Sequence, residues 1–280
     1  KEEEDEILDF GFHRLREHFF QAHPFAFGPD GRIEDLEKLK REDVVAHYKE
    51  LIVAGNLILS VTGDFDREQL LADLKPLLSG GLSQLPFEPK LLPIPEVAEA
   101  KDLKETMERE QAVVLQAYPD AGIQDEDFVT SEMLNELFSG MSSRLFERIR
   151  EDQGMAYYVG STRVIGQQGG MFVFYAGTHP SQAEQVLAEI DLEIERIAKG
   201  EVTDDELARC RARLKAARPM GRQTIGARAM HAALQLSYGL PLNDDAEHAA
   251  KLDAMDAVQL ARYVGKKFDS SNKVRLVVGP

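Results

Sequence analysis

Seven histidines and a single cysteine are the candidate metal ligands and nucleophiles of this 280-residue chain. His13, His18 and His23 are five residues apart, which turns each about 140° round a helix from the last and denies them a shared ligand face. His47, His179, His231 and His248 have no partner at a recognised metal spacing, and neither His-Glu-x-x-His nor His-x-x-Glu-His occurs. Glu2, Glu3 and Glu4 read as a solvated acidic helix start rather than as ligands. Cys210, inside the charged stretch ELARCRARLKA, reads as a packed thiol, and a lone cysteine builds neither a disulfide framework nor a thiolate cluster. The expectation is therefore a chain with no metal site and no nucleophile of its own.

The elements that carry these residues follow from periodicity. Ile7, Leu8, Phe12, Leu15 and Phe19 recur at helical spacing and stop at His23-Pro24. A helical region follows over IEDLEKLKREDVVAHYKELI, then NLILSVTGD as a buried strand and REQLLADLKPLL as a helix. Residues 80–105 hold four prolines, which fix φ and remove donors, so they read as an extended linker between domains 1–79 and 106–280. Beyond it come the strand QAVVLQAYP, the helix EDFVTSEMLNELFS, a shorter helix SRLFERIRED, and two strands, MAYYVGSTRVI and GGMFVFYAGTHP. Ser181 with Glu184 and Thr203 with Glu206 fit capping boxes at the starts of two long helices, and Gly200 closes the first of these. The chain is helical again from about Asn243 to Phe268 and finishes on the strand KVRLVVGP.

Composition narrows the partners. With 49 acidic against 33 basic side chains the formal charge is −16, which repels a phosphate backbone and argues against nucleic acid. No apolar run reaches the roughly 18 residues a membrane span requires. A soluble protein is expected, and nothing in the composition decides between cytoplasm and periplasm.

The sequence also repeats itself. Leu39 to Asp64 aligns without a gap on Met255 to Pro280, with Asn56 on Asn272, Gly63 on Gly279 and Val44 on Leu260. Two copies of a helix–strand unit at an offset of 216 residues predict two related α+β domains, each a mainly antiparallel sheet covered by helices. The second copy has some 150 residues ahead of it after the linker and the first only 38, so the first domain is expected to be incomplete.

The stretch FSGMSSRLFERIREDQGMAYYVGS closely resembles the signature of the C-terminal domain in the pitrilysin/insulinase family of zinc peptidases. GGMFVFYAGTHP, GEVTDDEL, VRLVVGP, HPFAFGPDGRIEDL and LILSVTGDFD extend the likeness over nearly the whole chain in the right order. The resemblance implies the non-catalytic, substrate-gripping part of an endopeptidase, with zinc in a missing catalytic domain or a partner subunit and no cofactor here. It carries the family's substrate-contacting arginine and tyrosine onto Arg150 and Tyr157, while Arg144 reads as structural and Tyr158 is expected on the opposite face of the strand. A guanidinium and a neutral phenol can both donate to a peptide carbonyl regardless of the peptide's sequence. The implied partners are a peptide or unfolded-protein substrate and a zinc-bearing N-terminal half or subunit, without which the chain is expected to be inactive. The alternatives are a structural subunit like the related core proteins of a respiratory complex, and a self-standing peptide-binding module.

Overall fold

A computed structural model describes residues 6–28, 31–79, 82–83 and 85–280. Glu2, Glu3 and Glu4 lie outside the described residues. The chain forms two compact units, one made of its start up to Gly28, Pro93–Ala217 and Asp244–Pro280, the other of Pro29–Leu92 and Arg218–Asn243.

The first unit is a five-stranded sheet with helices on both faces. Its strands are β1 (Lys101–Thr106), β2 (Ala112–Asp120), β3 (Ala156–Ile165), β4 (Gly170–Thr178) and β5 (Val274–Gly279), in the order β1-β5-β2-β4-β3. Only the β1–β5 pair is parallel. On one face Phe138, Phe172, Phe174, Ile190 and Tyr263 form the larger core, drawn from the strands and from helices 128–138, 183–198 and 257–267. On the other, helix α1 (Ile7–Phe20) lays Leu15, Phe19 and Phe20 on Val113, Leu115, Leu276 and Val278. Burying each of these side chains contributes roughly 1.5–3 kcal/mol. Gly11 permits the approach, since a Cβ there would stand 2.7 Å from Leu115 Cδ1. Because both faces are covered, β2 reads as a continuous apolar run, as expected for a central strand.

The exception in β2 is Gln116, which is buried and fully engaged. Its amide nitrogen donates to Asp191 Oδ1 at 2.8 Å and to the Tyr118 hydroxyl at 2.9 Å, and its oxygen accepts from Arg275 Nε at 2.6 Å. Burial pushes the Asp191 carboxyl up, but the Gln116 hydrogen bond and the Arg275 and Lys273 charges outweigh it and hold it below its ordinary value.

The structure departs from the sequence reading in several places. The predicted domain break near residue 79 is not where the compact units divide: α1 packs on the sheet completed by residues 101–279, because Arg14 pairs with Glu105 and its apolar stripe finds β2 and β5. Residues 101–105, read as the end of the linker, belong to the edge strand β1, whose alternating side chains lie beside β5. Ser181 does not cap a helix; it lies in a 3₁₀ turn, Pro180–Gln182, that His179 caps through its ring. Thr203 and Glu206 do form the predicted box, with Glu206 accepting from the Thr203 N–H at 2.8 Å.

The second unit contains α2 (Ile33–Leu36), α3 (Arg41–Leu51), a 3₁₀ turn (Ala54–Asn56), α4 (Arg67–Ser79) and α8 (Ile225–Ser237), the last following α7 (Asp204–Gly221). Adding 216 to the bounds of α3 gives α10 (Ala257–Lys267), and adding it to those of the 3₁₀ turn gives the turn Ser270–Asn272. The copies then diverge. The predicted strand over 56–64 belongs to no ladder among the described residues, and Leu57, Ile58, Leu59 and Val61 are exposed, whereas β5 is paired on both sides. An apolar strand needs neighbours for its backbone N–H and C=O groups, and among the described residues none flanks this segment.

Candidate functional site

Arg150 and Tyr157 lie on two consecutive elements at the edge of the sheet. Upstream, helix α5 (Phe128–Phe138) ends in a loop that turns at Gly140, whose φ of +88° favours glycine. Arg213 fastens this loop, donating to Ser142 Oγ at 3.0 Å and to the Ser139 carbonyl at 3.2 Å while pairing with Glu136. The chain then winds through a π-helical turn, Phe146–Asp152, which Ile149 anchors in the large core. Gly154 reverses the chain at φ +62°, and the Met155 N–H returns to the Ile149 carbonyl at 2.9 Å. The Thr178 hydroxyl holds the Met155 carbonyl at 2.5 Å, so β3 enters the sheet from a fixed point.

The arginines of this segment divide by what holds them. Arg144 is enclosed: it donates to Glu206 Oε1 at 2.5 Å and Oε2 at 2.8 Å, lies 3.7 Å from Glu193 and reaches the Glu201 carbonyl. Burial raises Glu206, yet its bonds from Arg144 and Thr203 hold it below its ordinary value; for Glu193 burial prevails over the nearby arginines and the pKa is raised. Arg148 pairs with Glu189 at 3.2 Å. Arg150 is exposed, forms no ion pair among the described residues, and sets its guanidinium carbon 4.8 Å from the Phe146 ring centroid. That stacking one turn back steadies the side chain and leaves its N–H donors available.

Tyr157 sits at a β-bulge, where the pairing of Ala156 with Thr178 is followed by that of Tyr158 with Gly177. The extra residue is left without a partner across the ladder, and Tyr157 is 55% exposed. The bulge also breaks the strand's simple alternation between Ala156 and Tyr158. Ala156 and Val159 both enter the helix-side core, and Tyr158 packs toward the α1 face, with its ring 6.3 Å from that of Tyr175. Gly177 makes this possible, since a Cβ there would come within 2.4 Å of the Tyr158 ring. Burial, with Tyr175, Glu6 and Asp9 nearby, pushes the Tyr158 phenol up.

Sequence reasoning singled out Arg150, Tyr157 and Arg144 but missed the bulge and the partner glycine. The signal was present as two adjacent tyrosines entering one strand opposite a glycine in the next. It also missed a buried cluster on Asp120, which accepts from Tyr263 at 2.6 Å, Arg163 at 2.6 Å and Ser131. His248 contacts Glu132 at 2.6 Å and His13 lies 3.6 Å from Glu17. Among the described residues no group of three His, Cys, Asp or Glu side chains is placed to hold a metal. Cys210 is buried, and burial lifts its thiol to about 11, far from a reactive thiolate at neutral pH.

The family profile described as the peptidase M16 inactive domain matches residues 38–214, more than half of the chain, and the chain belongs to that family. It is 26% identical over 284 residues to an uncharacterized zinc protease of Rickettsia bellii, covering 99% of this chain and 66% of the relative. A crystal structure of a peptidase M16 inactive domain from Pseudomonas fluorescens matches with a TM-score of 0.88 at 20% identity, over 99% of this chain and 67% of that one. A chain of complex III2 from Candida albicans matches with a TM-score of 0.84 at 16% identity, over 99% and 68%. At these identities the structural likenesses concern the fold. This chain spans about half to two thirds of the length of the curated relatives it matches. Among the described residues no side-chain group fits the zinc that the relative's name implies, and no helix is long and apolar enough to cross a membrane.

Proposed function

We propose that this chain is the non-catalytic, substrate-gripping part of a zinc-dependent endopeptidase, with Arg150 and Tyr157 donating hydrogen bonds to the backbone of a bound peptide. The observation that supports it is the division among neighbouring side chains: Arg144 and Arg148 are consumed by carboxylates, while Arg150 and Tyr157 are exposed on rigidly anchored elements. The contact with the Phe146 ring reduces the freedom that Arg150 would lose on meeting a ligand, and the bulge leaves the Tyr157 phenol exposed to one. Peptide cleavage, on this reading, requires a zinc-bearing N-terminal half or subunit. The test is steady-state cleavage of an unstructured peptide by that reconstituted enzyme. Arg150→Ala and Tyr157→Phe should each raise KM with the fold intact.

A second reading, a catalytically silent structural subunit, draws support from the likeness to a complex III2 chain. It expects both variants to leave every kinetic constant unchanged.

A further inference from the structure

The sheet face that carries α1 is not covered evenly. α1 lies over β2 and β5, while the β3–β4 edge of the same face presents two half-buried tyrosines, Tyr158 and Tyr175. Each stands directly opposite a glycine: Tyr158 pairs with Gly177, and Tyr175 with Gly160. Each ring also reaches across onto its glycine. A Cβ at Gly177 would collide with the Tyr158 ring, and one at Gly160 would come 3.1 Å from the Tyr175 hydroxyl oxygen and 3.4 Å from its Cζ. A ring laid over a glycine has the sheet beneath it and keeps its other side for a further contact. The two ring centroids are 6.3 Å apart with planes inclined by 44°, and Phe12 of α1 adds a third ring 5.8 Å from Tyr175 at 60°. The charges beside these rings are acidic. Glu6 and Asp9, both exposed at the start of α1, act on the Tyr158 phenol, and the Glu6 side chain makes no capping bond to the helix. Arg14, the first arginine of α1, is held by Glu17 and Glu105.

We infer that Tyr158, Tyr175 and Phe12, with Glu6 and Asp9 at their rim, form a subsite for an arginine side chain of the bound peptide. The inference rests on the proposed peptide grip for its substrate and adds a side-chain preference to it. Tyr157 and Tyr158 are consecutive, so a peptide whose backbone meets the Tyr157 phenol runs beside these rings. A grip on the backbone is blind to sequence and lets the peptide slide until a suitable side chain finds the subsite. A guanidinium is the suitable one. It is planar and weakly hydrated, it stacks on aromatic faces, and it is drawn by the quadrupole of the rings and by the two carboxylates together. Rings alone would also accept an aromatic or aliphatic side chain; the carboxylates give the positive charge its advantage.

The test is calorimetric titration of this chain with three unstructured peptides, blocked at both ends, that differ at one position: arginine, its neutral isostere citrulline, and phenylalanine. The arginine peptide should bind at least about 5-fold more tightly than either of the others, within the range of a cation held on aromatic rings. Tyr158→Leu combined with Tyr175→Leu should bring the arginine peptide down to the citrulline peptide, whereas Tyr158→Phe with Tyr175→Phe keeps the rings and should keep the preference. Glu6→Gln with Asp9→Asn alters only exposed side chains, so the fold should survive, and the preference should shrink at least about 2-fold. This pair decides the matter even if the leucine pair fails to fold. Equal affinity for the three peptides overturns the inference, as does tighter binding of the phenylalanine peptide or a preference untouched by loss of the carboxylates. The same titrations on Arg150→Ala and Tyr157→Phe separate the two readings. An arginine preference with affinity unchanged in those variants would sink the functional reading alone, and affinity that falls in them without any arginine preference would sink this inference alone. Absence of binding by all three peptides overturns both.

Discussion

The helix–turn–strand unit at 257–279 and its counterpart at 41–63 share their helical bounds to the residue, yet one is the inside of a core and the other is surface. The common part is what local sequence dictates: a side chain at the third helical position that accepts from the N-cap N–H, Asp43 from Lys40 and Gln259 from Asp256, and a 3₁₀ turn closing on Asn56 and Asn272. The part that differs is the strand. Helices satisfy their own backbone, whereas a strand is defined by its neighbours, so the same pattern yields β5 beside β1 and β2 and, among the described residues, a segment at 58–63 that joins no ladder.

The sharpest way to break this comparison is to truncate matched positions. Leu260→Ala should cost about 2–5 kcal/mol, because it empties a packed site, while Val44→Ala should stay within about 0.5 kcal/mol. Paired thermal or urea melts of the two variants read this directly, and equal losses would mean that the surface copy is buried after all. The same contrast exists among the arginines. Arg144→Ala should cost at least about 2 kcal/mol, since it removes the cation that faces both Glu206 and the buried Glu193, whereas Arg150→Ala should leave the melting curve unchanged.

Acid provides a smaller and more graded probe. Asp191 and Glu206 both have folded pKa values below their ordinary ones. The stability they add is therefore present above the unfolded pKa, about pH 4, and is lost as the pH falls through the folded value. Melting temperatures should drop on acidification below that point, and Glu206→Gln should flatten the drop. An unchanged slope in the variant would show that Glu206 is no more engaged in the folded chain than in the unfolded one.

What the sequence made legible divides along the same line as the two copies. Local devices were readable: the Thr203–Glu206 box, Gly200 at φ +78°, the stripe that buries Val186, Ile190 and Ile197, and the 216-residue repeat. Features set by a distant partner were not. The place of α1 depends on β2 and β5, the strand character of 101–106 on β5, and the absence of a ladder at 58–63 on what is not beside it. At the site, the spacing of Arg150 and Tyr157 was visible, but the bulge that frees Tyr157 depends on the register of β3 against β4, with Gly177 making room for Tyr158.

In the proposed function, Arg150 and Tyr157 hold one peptide segment together. This is tested most directly by a double-mutant cycle on KM and kcat/KM in the reconstituted enzyme, using Arg150→Ala, Tyr157→Phe and the double variant. Tyr157→Phe removes one hydrogen bond at a cost of about 1 kcal/mol, and Arg150→Ala removes a charged donor at a cost of about 1.5–3 kcal/mol. The account predicts a double variant whose loss is smaller than the sum, by at least about 0.5 kcal/mol. Full additivity, or unchanged constants in all three variants with native melting curves, would contradict it.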